Sequence, residues 1–141
     1  MAEPWVSGIP SPNGMAFTES GDGLWVVSTF GDPQPAWFVP VTGGEPGTPE
    51  AVHDFPVGTV PDGVAVGTSG ALYVAQNTAR RIDRVTRDGQ AEVVAEGVDW
   101  AASLAFGEGA DWDECSIYAT SLFGSELYRV EVGETGLVPR R

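Results

Sequence analysis

Residues 61–76 read PDGVAVGTSGALYVAQ, and this stretch decides the fold. Two short runs rich in β-branched and aromatic residues flank the turn sequence Thr68-Ser69-Gly70, which is typical of two antiparallel strands. A third run ends at Arg87-Asp88-Gly89, a tight-turn signal that leads into a fourth. The four strands are predicted at Asp62–Gly67, Ala71–Gln76, Arg81–Thr86 and Ala91–Glu96.

The same pattern occurs three times along the chain. Its copies begin with PNGMAF at 12–17, PDGVAV at 61–66 and AASLAF at 101–106. Each copy passes through a turn into a strand with an aromatic residue at its centre, namely Trp25, Tyr73 and Tyr118. Asn13 and Asp62 are 62 − 13 = 49 residues apart, and Asp62 and Ala102 are 102 − 62 = 40 apart. A period of roughly 40–50 residues with four strands per unit is typical of a β-propeller blade.

The chain is therefore predicted to be all-β, a single domain of about three four-stranded antiparallel blades. The predicted parts are an outer strand at 3–8, blades at 12–55 and 61–97, a third blade at 101–132 that lacks its outer strand, and a tail at 133–141. Propellers commonly close by pairing strands from the two ends of the chain, which removes an exposed sheet edge. The strand at 3–8 is therefore expected to complete a blade.

Composition excludes several classes of function. The chain has 141 residues with 20 acidic and 7 basic side chains, a formal net charge of −13, which argues against nucleic-acid and anionic-membrane partners. The single cysteine, Cys115, cannot form an internal disulfide. No apolar run approaches the ~20 residues of a membrane span. No signal-peptide pattern is visible at the N-terminus, so a cytoplasmic location is expected.

Two polar residues are candidates for chemistry. Asn13 and Asp62 stand at equivalent places in the first strand of two blades, where a propeller strand faces the central channel, and Ala102 is their counterpart. Amide and carboxylate oxygens are the ligands of hard divalent cations such as Ca²⁺ and Mg²⁺. An alternative stays open, because Asn-Gly and Asp-Gly are also common turn dipeptides.

Other sequence features give weaker signals. His53 is the only histidine and no G-x-S-x-G sequence occurs, so a Ser-His-Asp triad is not supported. The acidic segment Asp111-Trp112-Asp113-Glu114 lacks the glycine and spacing of an EF-hand and is interpreted as a solvated hairpin tip.

The quoted repeats resemble a known family, the gluconolactonase, senescence marker protein and regucalcin group of six-bladed propellers. The matching stretches are SPNGMAF with GLWVVST, VPDGVAVGTSGALYVA, and SLAFGEG with SIYATS and LYRVEVG. They cover roughly Val6 to Gly136 in the order of the family's last three blades. The resemblance therefore implies half of a six-bladed propeller.

The resemblance also implies a chemistry. Such proteins hold a divalent metal in the channel with one Glu, two Asn and one Asp, and the metal polarises the carbonyl of a sugar lactone. Asn13 and Asp62 match two of these ligands, and Asp62 also matches the general base. Ca²⁺ is the first expectation for the metal, with Zn²⁺, Mg²⁺ and Mn²⁺ as alternatives. The family's Glu and second Asn have no counterpart in this chain.

Three hypotheses follow. In the first, two chains form a head-to-tail homodimer that closes a six-bladed ring and hydrolyses lactones or related sugar-like ligands with a metal. In the second, the chain is a non-catalytic propeller fragment that acts as a binding or interaction module. In the third, it is half of a longer coding sequence. Three blades cannot enclose a channel alone, since rings need at least about four.

Overall fold

The structure is a computed structural model that describes residues 1–137, and the secondary structure within them is all strand. The last four residues of the predicted tail at 133–141 lie outside the described residues. The strands are β1 (Pro12–Phe17), β2 (Gly23–Ser28), β3 (Gln34–Thr42), β4 (Glu45–Pro46), β5 (Glu50–Phe55), β6 (Pro61–Val66), β7 (Leu72–Gln76), β8 (Arg81–Val85), β9 (Ala91–Glu96), β10 (Ala101–Phe106), β11 (Ser116–Ser121) and β12 (Leu127–Glu131). The all-β prediction is confirmed.

The strands form three antiparallel sheets, which we call the first, second and third blades. The first contains β1 to β5, the second β6 to β9 and the third β10 to β12. Strand β4 was not predicted. It is a two-residue extension in which Thr42 pairs with Glu45 across Gly43 and Gly44, and both glycines have positive φ. The partial-propeller prediction is confirmed by this arrangement of sheets.

Each blade begins with the same irregularity. The register shifts between Pro12 and Met15 in β1, between Pro61 and Val64 in β6, and between Ala101 and Leu104 in β10. Two residues of the first strand therefore oppose one residue of the second, which defines a β-bulge. A bulge re-aims side chains, and the bulged pairs include Asn13 and Asp62.

The core lies between the blades, because successive side chains of a strand point to opposite faces. In β7, Leu72 and Val74 pack towards the first blade, in a cluster with Trp25. Tyr73 and Ala75 pack towards the third blade. These side chains are almost completely buried. The second blade is thus apolar on both faces, and it holds its neighbours in place by burial of apolar surface.

The predicted strand at 3–8 is not formed within residues 1–137. A strand needs a neighbouring edge, and this segment lies over a face of the first blade instead. Val6 and Ile9 pack against Leu24 and Val39, while the indole nitrogen of Trp5 donates to the carbonyl oxygen of Gly44 at 3.3 Å. Whether these residues complete a blade in a second chain stays a prediction.

The segment after β12 folds back across the second blade. Gly136 bridges to Gly67, and the amide of Leu137 donates to the carbonyl oxygen of Val66 at 3.1 Å. Together with the ends of β1, β6 and β10, this segment lines a cavity of about 840 Å³. Within the described part of the chain, no helix could span a membrane.

Candidate metal and catalytic site

Asn13 and Asp62 occupy equivalent positions in adjacent strands, and Ala102 occupies the third. The strands approach closely at these bulges. A Cβ on Gly14 would overlap the carbonyl oxygen of Asp62, and one on Gly63 would overlap that of Ala102. Glycine is therefore required next to both candidate ligands, and close approach, not a turn, explains Asn-Gly and Asp-Gly here.

The amide of Asn13 is oriented by a relay of hydrogen bonds. Its Nδ2 donates to Oγ1 of Thr29 at 2.8 Å, and this hydroxyl donates to the buried carbonyl oxygen of Pro61 at 2.8 Å. Because the Asn13 nitrogen is used in this way, its oxygen is the atom left to bind a cation.

The carboxylate of Asp62 is in a partly desolvated position. Burial raises the pKa of Asp62 above its ordinary value, and a hydrogen bond from Asn13 opposes that shift. A carboxylate with a raised pKa is a better proton acceptor near neutral pH. The two candidate residues are therefore coupled to each other electrostatically.

The donors fit half of a site for a hard divalent cation. An amide oxygen and a carboxylate suit Ca²⁺ or Mg²⁺, which take six or more oxygen ligands including water. Among residues 1–137, no group of three or more His, Cys, Asp or Glu side chains is placed to hold a metal. The remaining protein ligands would have to come from outside these three blades.

The other sequence candidates lie apart from this pair. Nδ1 of His53 is 3.3 Å from the carbonyl oxygen of Gly89, and its ring packs edge-on against Phe55. In the acidic loop, Asp113 accepts hydrogen bonds from Ser116 and from the amide of Cys115. Both side chains serve local structure.

Sequence reasoning missed Thr29, the residue that orients Asn13. Its counterpart in the second blade is Asn77, whose Nδ2 donates to the carbonyl oxygen of Ala101 at 3.1 Å. Pro61 and Ala101 are equivalent positions, so both side chains bind the start of the next blade. A signal was present, because each residue follows the last residue of a blade's second strand.

Comparison with known proteins identifies the family. The sequence model of the SMP-30/gluconolactonase/LRE-like region matches residues 2–122. The chain belongs to this family. No curated protein matches the chain.

Solved structures of low identity share the fold. A gluconolactonase from Xanthomonas campestris superposes with a TM-score of 0.72 at 20% identity, covering 89% of this chain and 39% of that one. Regucalcin from Agrobacterium tumefaciens, described as a calcium-binding protein, gives 0.66 at 19%, covering 89% and 47%. A nidogen/laminin complex gives 0.71 at 15%, covering 94% and 49%. This chain therefore spans less than half the length of each.

Proposed function

We propose that this chain supplies half of the site of a divalent-metal-dependent hydrolase that opens sugar lactones. Its three blades form half of a six-bladed ring, and a second half ring of three blades completes the site. The observation that carries the proposal is the placement of Asn13 and Asp62 at equivalent bulges of adjacent strands. Membership of the family and the named gluconolactonase neighbour support the substrate class. The neighbour described as calcium-binding supports the metal.

Asn13, Asp62 and Thr29 each have a distinct role in the proposed reaction. Asn13 and Asp62 would hold the cation, which when bound supplies Lewis-acid polarisation of the lactone carbonyl. Thr29 fixes which atom of the Asn13 amide faces the channel. Asp62 accepts a proton from the attacking water, and the ring C–O bond breaks as the ring oxygen takes up a proton. One water is consumed and one hydroxy acid is formed.

The second half ring most directly comes from a second copy of the chain. Two-fold closure would bring Asn13 and Asp62 from both copies around one channel, giving four side chains with oxygen donors in place of the family's four ligands. Cyclic dimers are the commonest closed oligomers.

The test combines size, metal binding and turnover on the wild type and on Asp62→Ala. We expect a wild-type dimer that binds about one Ca²⁺ per pair in calorimetry and hydrolyses aldonolactones, with acid release followed by pH indicator. Asp62→Ala keeps the dimer and loses turnover by ~10²-fold or more, the contribution of a general base. Asp54→Ala, a change at an exposed residue of β5, should behave as wild type. Retention of full turnover in Asp62→Ala would refute the proposed role.

A second candidate function is a non-catalytic binding module. The observation that favours it is the small donor set, since the described residues provide only Asn13 and Asp62. Likeness to a structure that is a protein–protein complex adds to it. Wild-type dimer without lactone turnover in the presence of any of the four candidate metals would favour this module over the hydrolase.

A further inference from the structure

The half ring has two outer faces that no other blade within residues 1–137 covers. The first open face belongs to the first blade. Met15 and Phe17 are exposed on it, whereas Leu24, Val26 and Val39 on the same face are buried beneath Val6 and Ile9. The third open face belongs to the third blade and contains Ala105, Tyr118, Thr120, Leu127 and Arg129. Their composition can be compared with the interfaces that the chain already forms.

The third open face repeats a face that is buried elsewhere in the chain. Tyr118 pairs with Arg129 and Thr120 with Leu127, as Tyr73 pairs with Arg84 and Ala75 with Ile82. Ile82 is completely buried against the third blade, whereas its counterpart Leu127 is 77% exposed. The third blade thus presents to solvent the positions by which the second blade binds its neighbour.

In the second blade, the paired residues Tyr73 and Arg84 together bind a carboxylate. The hydroxyl of Tyr73 donates to Oε1 of Glu134 at 2.6 Å, and Nε of Arg84 lies 3.4 Å from the same oxygen. A carboxylate from the segment after the next blade is therefore held in a half-buried place. On the open face the ring of Tyr118 packs edge-on against Trp112, at 5.1 Å between ring centroids. Arg129 lies 3.9 Å from the carboxylate of Asp113, and 64% of its side chain is exposed, so this arginine remains accessible to a carboxylate from another chain.

The first open face carries the complementary half of an interface. Met15 and Phe17 are equivalent to Leu104 and Phe106, according to the matching registers of β1 and β10. Leu104 is 7% exposed, but Met15 is 64% and Phe17 67% exposed. Phe106 packs edge-on against Tyr73 at 5.5 Å. By the same geometry, Phe17 of one copy would pack on Tyr118 of another.

The N-terminal segment is shaped like a connector between blades. Gly8 has φ of 94° and Ser11 of 41°, while Gly97 and Trp100, which link the second and third blades, have φ of 75° and 51°. Ile9 packs on the first blade, as Val98 packs between the second and third. Residues 3–7 therefore stand where the outer strand of a preceding blade would end, while β12, among residues 1–137, pairs with β11 alone.

We propose that the first and third open faces bind each other in a second copy of this chain, head-to-tail, with residues 3–7 of one copy pairing along β12 of the other. The inference rests on the half-ring part of the proposed function. The occupant is a second copy because each open face repeats one side of an interface that this chain forms internally. Three blades per copy give a closed ring of six.

The test uses changes at exposed positions, which leave the fold of each chain intact. Leu127→Glu places a charge in the third open face and Phe17→Lys places one in the first. Burying an unpaired charge is costly, so each variant should raise the dimer dissociation constant by at least ~10-fold, about 1.4 kcal/mol. Sedimentation velocity without metal or lactone measures the dimer dissociation constant, and circular dichroism checks the fold. Val57→Glu is the matched control, because Val57 is 62% exposed and lies outside both faces.

Mixing the two variants gives a stricter readout. Each homodimer has two damaged interfaces, whereas the mixed dimer has one intact interface and one with opposite charges, so mixing should restore dimers. The proposal is overturned if wild type is monomeric up to about 100 µM or forms open higher oligomers. It is also overturned if Val57→Glu weakens association as much as Leu127→Glu.

The outcomes separate the interface from the chemistry. A dimer that fails to hydrolyse lactones supports the interface and contradicts the hydrolase. Turnover by a chain that stays monomeric supports the chemistry and contradicts the interface.

Discussion

Glu134 shows how a single side chain ties a distant segment to the blades. Its carboxylate accepts hydrogen bonds from the hydroxyl of Tyr73 at 2.6 Å and from the amide and hydroxyl of Ser69 at 2.9 and 3.0 Å. Burial alone would raise the pKa of Glu134, but these bonds and Arg84 hold it below its usual value. Charged Glu134 is therefore the form that the fold stabilises.

This lowered pKa predicts an acid-sensitive contribution to stability. A carboxylate with a depressed folded-state pKa stabilises the fold fully above its unfolded pKa, about 4.3, and loses that contribution as pH falls through the folded value. Glu134→Gln should therefore lower the free energy of unfolding at about pH 7, with the deficit shrinking towards about pH 3. Urea titrations across this range measure it.

A companion variant sharpens this test. Tyr73→Phe removes one hydrogen bond to Glu134, so it should raise the pKa of Glu134 and move the acid-dependent loss of stability to higher pH. A deficit in Glu134→Gln that stays constant with pH would contradict this account.

At the scale of elements, the bond from one blade to the start of the next is the recurring device. Thr29 and Asn77 follow the second strands of their blades, and each side chain donates to a carbonyl oxygen of the next first strand. Their backbone amides donate to Ser11 and Val60, whose positive φ lets the chain turn into that strand. The same side chain of Thr29 also orients Asn13.

Thr29→Val tests both of these roles. The change keeps the shape but leaves the buried carbonyl of Pro61 without its partner, so the free energy of unfolding should fall by ~1–3 kcal/mol. If Asn13 binds metal, calcium affinity should fall as well, because the amide loses its orientation. Thr86→Val is the control, since the Thr86 hydroxyl bonds to Asp88 and Gln90 in an exposed turn. Equal losses of stability in both variants would contradict the buried role of Thr29.

At the scale of the whole molecule, the proposed function assigns two ligands of a four-ligand site to these three blades. We expect lactone turnover per chain to rise with protein concentration and to level off once the dimer is fully formed. To check this, initial rates are measured at saturating Ca²⁺, over about a hundredfold range of protein concentration around the dimer dissociation constant. Leu127→Glu should shift the curve to higher concentration without lowering its plateau. Turnover per chain that is constant over that range, with the wild type passing from monomer to dimer, would contradict the need for a second copy.

The sequence predicted the parts that depend on local pattern. The repeats that start at Pro12, Pro61 and Ala101 have matching turns and aromatic-centred strands, and a period of this kind is visible without coordinates. The four strands predicted for the second blade lie within one residue of the observed β6 to β9.

Non-local contacts could not be predicted in this way. The bulge that holds Asn13 and Asp62 depends on how two strands pair, and the relay through Thr29 joins residues from two blades. Glu134 meets Tyr73 across 61 residues of chain. The segment at 3–8 has a strand-like sequence, but a strand also requires an edge to pair with. The local sequence pattern predicts none of these contacts.

The returning segment at 133–137 would affect how small molecules enter and leave the channel of a closed ring. It runs along the C-terminal ends of the first strands, opposite the bulges of Asn13 and Asp62, so in the proposed closed ring it would lie at that mouth of the channel. A small molecule in that ring would then arrive and depart by the other mouth, beside the bulges. In that ring, one molecule would therefore have to leave by this mouth before the next could enter.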